Sequence, residues 1–335
     1  MGQRIRVLAS LVTLAGVWLA LEGAPLAAEA PEVLKLAYTV VAPNLQDMDV
    51  FMGRDLGIFK KRGLDLQIIL LNGETLGLQA VVSGDADVSQ NSHALIYTAA
   101  EKTSTIRIIC ETVPIHSYVL VTTKDIVKWS DLEGKALGIS GLGSIAQLIP
   151  QAAMKRHGVN PAKVNYAVVG GSGGRAKAMA SGRTQAGMLH VIEAEELIAQ
   201  EKGLHVFADL RTELPEFQFT AYIALTKTIA ARRSALQKFV EGMIETKRLI
   251  LENKKLTVEQ YLKYYPNRTE ALVSKAYDAL KPAMMLGING GMEKGPFEFT
   301  RGIMLETGLL KQRLQHEQVY DPSLTEAALA VLGRK

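Results

Sequence analysis

A single cysteine, Cys110, occurs in 335 residues, so no internal disulfide can staple this chain. It lies in the apolar stretch 106–110 and reads as a small core residue. No other cysteine stands near the N-terminus to take a lipid anchor. His-x-x-x-His pairs and clustered cysteines are missing as well, which argues against a structural metal. Neither glycine-rich loop is followed by a Walker lysine, and no Gly-x-Ser-x-Gly turn is present, so ATP binding and serine-nucleophile chemistry lack support. Charge of one sign is not in excess: 38 Lys and Arg stand against 34 Asp and Glu. No basic cluster is interleaved with aromatics, so nucleic acid is not an expected partner.

Only one long uncharged apolar run occurs, over residues 7–21. It is shorter than the roughly 20 residues a spanning helix needs. Arg4 and Arg6 precede it and a small-residue stretch, 22–30, follows, which is the order of a secretory signal. Cleavage is expected after Ala28, making 1–28 the signal peptide. The remaining chain, about 307 residues, is nearly neutral and too long for one small core, so two domains are expected. An exported, disulfide-free chain that is free in solution fits a Gram-negative periplasm.

Apolar patterns of strand and helix length alternate through the first two thirds of the chain. Strands are expected over 33–40, 66–71, 86–90 and 106–112, with helices over 47–62, 75–83 and 93–100 between them. A second series follows, with strands over 118–122, 136–140, 164–169 and 186–190 and helices over 144–157, 174–181 and 191–200. Alternation of this kind predicts α/β architecture with mostly parallel sheets flanked by helices. Residues 204–210 and 217–225 read as closing strands. From 234 onward the patterns are helical: 234–252, 257–264, 268–280, 296–310 and 324–332. This organisation predicts a discontinuous first lobe, 29–115 with 226–335, and a second lobe, 116–225. The chain is expected to cross between them near 112–118 and 217–225, as a natural hinge.

Two glycine-rich loops, Gly141-Leu-Gly-Ser-Ile-Ala146 and Gly171-Ser-Gly-Gly-Arg-Ala176, follow strands and open helices. Both fit a G-x-G-x-x-A dinucleotide pattern, but neither is followed by an acidic residue at a strand end, so no cofactor is expected. A helix start also presents free N–H groups to an anion. Ser140, Gly143 and Ser144 are therefore candidate donors to a carboxylate or sulfonate.

In open α/β sheets ligands bind beyond the carboxyl ends of strands. His93 and His190 fall at such ends, as do Asn44, Gln46, Asn72, Asn91 and Ser92; His116 sits at the first crossing. Neutral amides and hydroxyls suit hydrogen bonding without chemistry. Tyr222, on the second crossing, is a candidate to stack on a ligand. The carboxylate pairs Asp47/Asp49 and Asp85/Asp87 could serve acid–base work only with a raised pKa, and Asp85 reads as a turn residue. No catalytic residue is assigned.

Gly57-Ile-Phe59 leading to Gly63-Leu-Asp-Leu66 resembles the G-I-F-x-x-x-G-L-x-V opening of a known group. Val82-Ser-Gly-Asp-Ala-Asp-Val88 resembles its first helix-to-strand step, and Trp129-Ser-Asp-Leu-Glu-Gly-Lys-Ala-Leu-Gly-Ile139 its entry to the second lobe. Residues 170–189 resemble the second-lobe counterpart, with Gln185 where aspartate is common. Together, over about 33–250, these motifs are similar to the NMT1/THI5-like solute-binding proteins of ABC transporters, which include binders of taurine, alkanesulfonates, nitrate and thiamine-pyrimidine precursors. The resemblance implies a type II periplasmic-binding fold with ligand in an interlobe cleft, no enzyme activity, a monomer, and a permease and ATPase as partners. A small anionic organic ligand is expected first and a pyrimidine-like thiamine precursor second. An exported enzyme or a sensor subunit on the same fold ranks behind both. Relatives that bind oxyanions often use a positive residue, and Arg175 is the nearest one to the expected cleft. The group also holds a pyrimidine-synthesising enzyme, but its glycine–cysteine-rich iron-binding segment has no counterpart here.

Overall fold

Among the described residues, runs of β-branched and leucine residues bounded by glycine turns form ten strands: β1 Glu32–Tyr38, β2 Leu64–Leu70, β3 Val88–Ser92, β4 Ile106–Ile115, β5 Tyr118–Thr123, β6 Ala136–Ile139, β7 Asn165–Val168, β8 Ala186–His190, β9 Leu204–Asp209 and β10 Gln218–Leu225. The computed structural model describes residues 30–40 and 43–335. The expected signal segment, 1–28, lies outside them. Among the described residues no helix is long and apolar enough to cross a membrane.

The strands form two five-stranded sheets, ordered β2-β1-β3-β10-β4 and β7-β6-β8-β5-β9. In the first, β1 runs parallel to β2 and β3, while β10 is antiparallel to β3 and β4. In the second, β6 runs parallel to β7 and β8, while β5 is antiparallel to β8 and β9. Each sheet thus has four strands in one direction and one reversed strand in fourth place. The reversed strand is in both cases the one that has just arrived from the other sheet. Short connections make the two crossings, one at residues 116–117 and one over 210–217.

The second crossing corrects an expectation. The expected second lobe includes 217–225, yet β10 lies in the first sheet between β3 and β4. All eight of its residues are buried, so no alternation of exposed and buried positions marks which sheet receives it. A second correction concerns the helix expected over 47–62. It is broken into Asp49–Asp55 and Ile58–Lys61 at Gly57, whose φ of +70° is left-handed.

The C-terminal helices return to the first sheet. Arg233–Glu252 lays Leu236, Phe239, Val240, Met243 and Ile244 against β1, β2 and β4. The spacing is helical, and each such buried side chain contributes roughly 1.5–3 kcal/mol. Ser323–Leu332 packs on the same helix, and Glu270–Met285 reaches across to Val191–Gln200, the helix that follows β8.

Candidate binding cleft

The carboxyl ends of the parallel strands of both sheets open onto one cleft of about 450 Å³. Thr39 follows β1, Asn72 follows β2, Ser140 follows β6, Gly170 follows β7 and His190 ends β8; all five line it. Tyr118 joins them because β5 is reversed and begins where its neighbours end. A second recess of about 220 Å³ shares Glu74, Thr75, Ser144 and Ile145 and adds Ser92 and Gly143.

Three helices of nine residues or more begin at this cleft: Glu74–Ser83, Ile145–Arg156 and Ser172–Ala180. Their first N–H groups have no intrahelical acceptor, and their dipoles favour negative charge nearby. The Ser172 helix comes close because Gly174 has no side chain: a Cβ there would stand 2.2 Å from the Val169 carbonyl oxygen. Gly170, with φ +92°, makes the turn that precedes it. The second glycine-rich motif is therefore a packing device, not a nucleotide fingerprint. Gly174→Ala is expected to lower stability by about 1–3 kcal/mol, since backbone must move to admit the methyl group. Urea unfolding measures this, and an unchanged midpoint would contradict the close approach.

Arg175 is the dominant charge. It is only 3% exposed, and it lines the cleft. Its Nε donates to the Met188 carbonyl at 2.6 Å and its Nη1 to the Gly170 carbonyl at 3.1 Å. Among the described residues no carboxylate forms an ion pair with it. Burial works against its positive charge, and the Tyr118 phenol beside it favours it. Its stem lies over glycines: Cβ atoms on Gly138 and Gly187 would meet it at 3.6 and 3.7 Å.

His190 presents a stacked face. Its ring lies 4.2 Å from that of Tyr118, and its Nδ1 shares a 2.7 Å hydrogen bond with the Ser117 hydroxyl. Burial, and then the charge of Arg175, push its pKa down to about 3, so the ring is neutral at neutral pH. Ser144 caps the Ile145 helix, but its hydroxyl donates to the Gly141 carbonyl at 2.7 Å. The Gly143 N–H donates to Gln147 Oε1. These two loop residues line the recess with hydrogen bonds already made.

Asn91 and Ser92 act through a neighbour. Asn91 Nδ2 donates to the Glu74 carbonyl at 2.9 Å, and the Ser92 hydroxyl donates to Glu74 Oε2 at 2.6 Å. Asn44 lies in a small adjoining recess with Ser117 and His190.

Besides Asn44 and Asn91, four sequence candidates lie away from the cleft. His93 is wholly buried, with Nε2 2.8 Å from Glu111 Oε1. It opens the helix His93–Ala100 and turns into the core, leaving Ser92 at the strand end. Tyr222 packs edge-on against Phe239 beneath the first sheet. Strand alternation gives its side chain to the helix-covered face. Gln46 is buried beside Lys247, which donates to its carbonyl at 2.9 Å. His116, buried at the first crossing, is held neutral by burial, with its pKa down to about 3. Both carboxylate pairs also lie elsewhere: Asp49 pairs with Lys247 in the core, and Asp87 pairs with Arg232. Thr39, Glu74, Thr75, Tyr118 and Ser172 line the cleft without having been picked out in the sequence. The strand-end rule extends to Thr39 and Ser172; Glu74 and Tyr118 needed the fold.

The family model described as "NMT1/THI5 like" matches residues 44–253. YtlA of Bacillus subtilis (strain 168), whose name gives it a binding role and no ligand, is 19% identical over 291 residues, covering 83% of this chain and 84% of the relative. Two solved structures share the two-lobed fold. The ligand-binding component of an ABC-type import system from Staphylococcus aureus, solved with zinc bound, superimposes with a TM-score of 0.72 at 12% identity, over 89% of this chain and 99% of that one. The periplasmic aliphatic sulphonate binding protein SsuA from Escherichia coli gives 0.68 at 13% identity, over 88% and 99%. The desulfurization enzyme DSZB also matches, with a TM-score of 0.63 at 13% identity over 89% and 99%, so the fold alone does not separate binders from catalysts.

Proposed function

This chain belongs to the NMT1/THI5-like family, and from that membership and its cleft we propose that it is the periplasmic substrate-binding component of an ABC importer that captures a small anionic organic molecule. One observation carries the ligand class: Arg175 is buried in the cleft with no carboxylate partner. A desolvated guanidinium that has only the longer-range field of Glu193 and no direct carboxylate partner is costly, and an arriving anion relieves that cost. The three helix starts add donors and positive potential at the same place.

The two crossings serve as the hinge. Ligand that touches residues of both sheets favours the closed form through that difference in contacts, and the closed form is what a permease and ATPase would receive. Release of the ligand unchanged is part of the proposal. It is supported by a cleft whose histidine is neutral and by carboxylate pairs that sit outside it. The stacked Tyr118–His190 pair supports a second reading, a flat pyrimidine-like ligand laid against those rings.

A thermal-shift panel of carboxylates, sulfonates, neutral pyrimidines and organic cations tests the proposal. Ligand at about 100 times its Kd adds about 2.7 kcal/mol of stability. Stabilisation by anions alone is the expected result. A response confined to neutral pyrimidines would transfer the reading to the second ligand class, and a response to cations would sink both.

A further inference from the structure

We infer that Arg268 is a positioning residue for ligand capture: from the side of the first sheet it clasps the helix Val191–Gln200 on the side of the second, and this ion pair draws the cleft closed. The inference rests on the hinged-cleft reading above and adds the contact that sets the resting position of the hinge.

The helix Val191–Gln200 starts at His190 and packs on β5, β8 and β9 of the second sheet. Its first N–H, from Val191, donates to the Ser117 carbonyl at the first crossing. Ile192, Glu195 and Glu196 share one face by helical spacing. That face meets the C-terminal helices, of which Glu270–Met285 packs on β4 of the first sheet. Ile192, nearest the crossing, is buried among Leu45, Tyr261 and Leu280. Farther along, Arg268 Nε and Nη2 donate to the two oxygens of Glu196 at 2.8 and 2.9 Å, and Nη2 stands 3.3 Å from Glu193. Lys275 pairs with Glu195 at 3.0 Å. The contact between the two sides therefore changes from apolar at the pivot to ionic away from it.

Arg268 is set in place before it meets the glutamates. It lies between the helices Lys254–Tyr264 and Glu270–Met285, with its guanidinium 4.2 Å from the Tyr265 ring centre and donating to the Tyr261 hydroxyl. The Tyr265 hydroxyl in turn donates to the Pro43 carbonyl at 2.9 Å. A planar fork held against a ring loses little freedom on pairing with a carboxylate. Burial works against its charge, and the Glu196 carboxylate, with Tyr261 and Glu193, outweighs that. Lys275 and Glu195 are largely exposed, and such a pair adds little. The bidentate Arg268–Glu196 pair is mostly withdrawn from water on the arginine side and carries the clasp. Charges suit a surface that alternates between contact and water, because the parted side chains are hydrated at once. A contact made only when the two sides meet favours the closed form by that difference.

Small-angle scattering of the mature chain without ligand tests this at about 0.01 M and about 1 M salt, where charges are screened beyond about 30 and about 3 Å. The wild type is expected to expand as salt rises. Glu196→Ala should be expanded at low salt already and respond little, and Arg268→Lys should fall between. Arg268→Met is a less clean probe, since it also frees the charge of Glu193, whose field reaches Arg175. For any ligand the panel supplies, Glu196→Ala is expected to lower affinity by about tenfold, by the same factor for anions and pyrimidines, with the melting point of the empty protein little changed. A wild type and a Glu196→Ala variant with the same radius of gyration at low salt overturn the clasp, and so does a loss of affinity confined to anions, which would make the cluster part of the cleft's own electrostatics. A panel that yields no ligand overturns the binding reading and leaves the scattering result to decide the clasp.

Discussion

Arg175→Met is expected to weaken binding of the best anion in the panel by about two orders of magnitude or more while leaving the empty protein close to its original stability. The two effects have opposite origins. An anion gains charge-assisted hydrogen bonds from the guanidinium, each worth about 1.5–3 kcal/mol, and methionine offers none. In the empty protein the arginine carries a desolvation cost that methionine removes. Against that relief stand the Met188 and Gly170 carbonyls, which lose their donor. Methionine keeps the apolar stem that fills the space over Gly138 and Gly187. Arg175→Lys should fall between, since lysine keeps the charge and loses the planar fork. Calorimetry and thermal melting read both halves. Affinity within threefold of wild type in Arg175→Met would remove the anion reading. A large drop in the melting point of the empty variant would make Arg175 a structural residue instead.

The fold was largely legible because its local signals agree with its global arrangement. Glycines at 63, 84, 158 and 182 take left-handed conformations and end segments where the patterns end. The C-terminal helices read well for the same reason: 234–252 and 324–332 appear as Arg233–Glu252 and Ser323–Leu332. Sheet membership was another matter. Nothing local in Gln218–Leu225 distinguishes a strand that closes the second sheet from one inserted into the first, because its pairings with β3 and β4 are more than a hundred residues distant in sequence.

The site was legible as a location and much less so as a set of side chains. The strand-end rule found Asn72, Ser140 and His190 because it depends only on where strands stop. It failed at His93 by one residue, since helical phase turned that ring toward Glu111 on another strand. Arg175 shows why charge is hard to place from sequence. Sequence placed this arginine near the expected cleft but carried no sign of its burial, which follows from its stem resting in ordinary contact on the glycines at 138 and 187. Those glycines lie in β6 and β8, and their meaning depends on knowing that the two strands are adjacent.

The other large effect lies in the core of the first lobe, where Lys247→Met is expected to lower stability by about 3–5 kcal/mol. Lys247 Nζ stands 3.3 Å from Asp49 Oδ2, both side chains are fully buried, and the same ammonium donates to the Gln46 carbonyl. Removing the cation leaves the Asp49 charge without a partner in a medium that solvates it poorly. Asp47 is its neighbour. Burial, and then the charge of Asp49, raise the Asp47 carboxyl from its usual 3.8 to about 7, while Lys247 and the Tyr38 phenol hold it down. The folded protein therefore binds this proton more tightly than the unfolded chain does. The stabilisation from Asp47 is present in full below about pH 4 and is lost as pH rises through about 7. Asp47→Asn should abolish that slope and raise stability by a few kcal/mol at about pH 8, since asparagine carries no charge and its oxygen can still accept the Asn44 N–H. Lys247→Met should steepen the slope, because the Asp47 carboxyl loses a cation that favours its ionised form. Urea unfolding of the three proteins across the pH range reads every part of this. A wild type and an Asp47→Asn variant with parallel pH profiles would mean that the Asp47 carboxyl titrates in the folded protein as it does in the unfolded chain, and a Lys247→Met variant as stable as wild type would mean that water reaches Asp49.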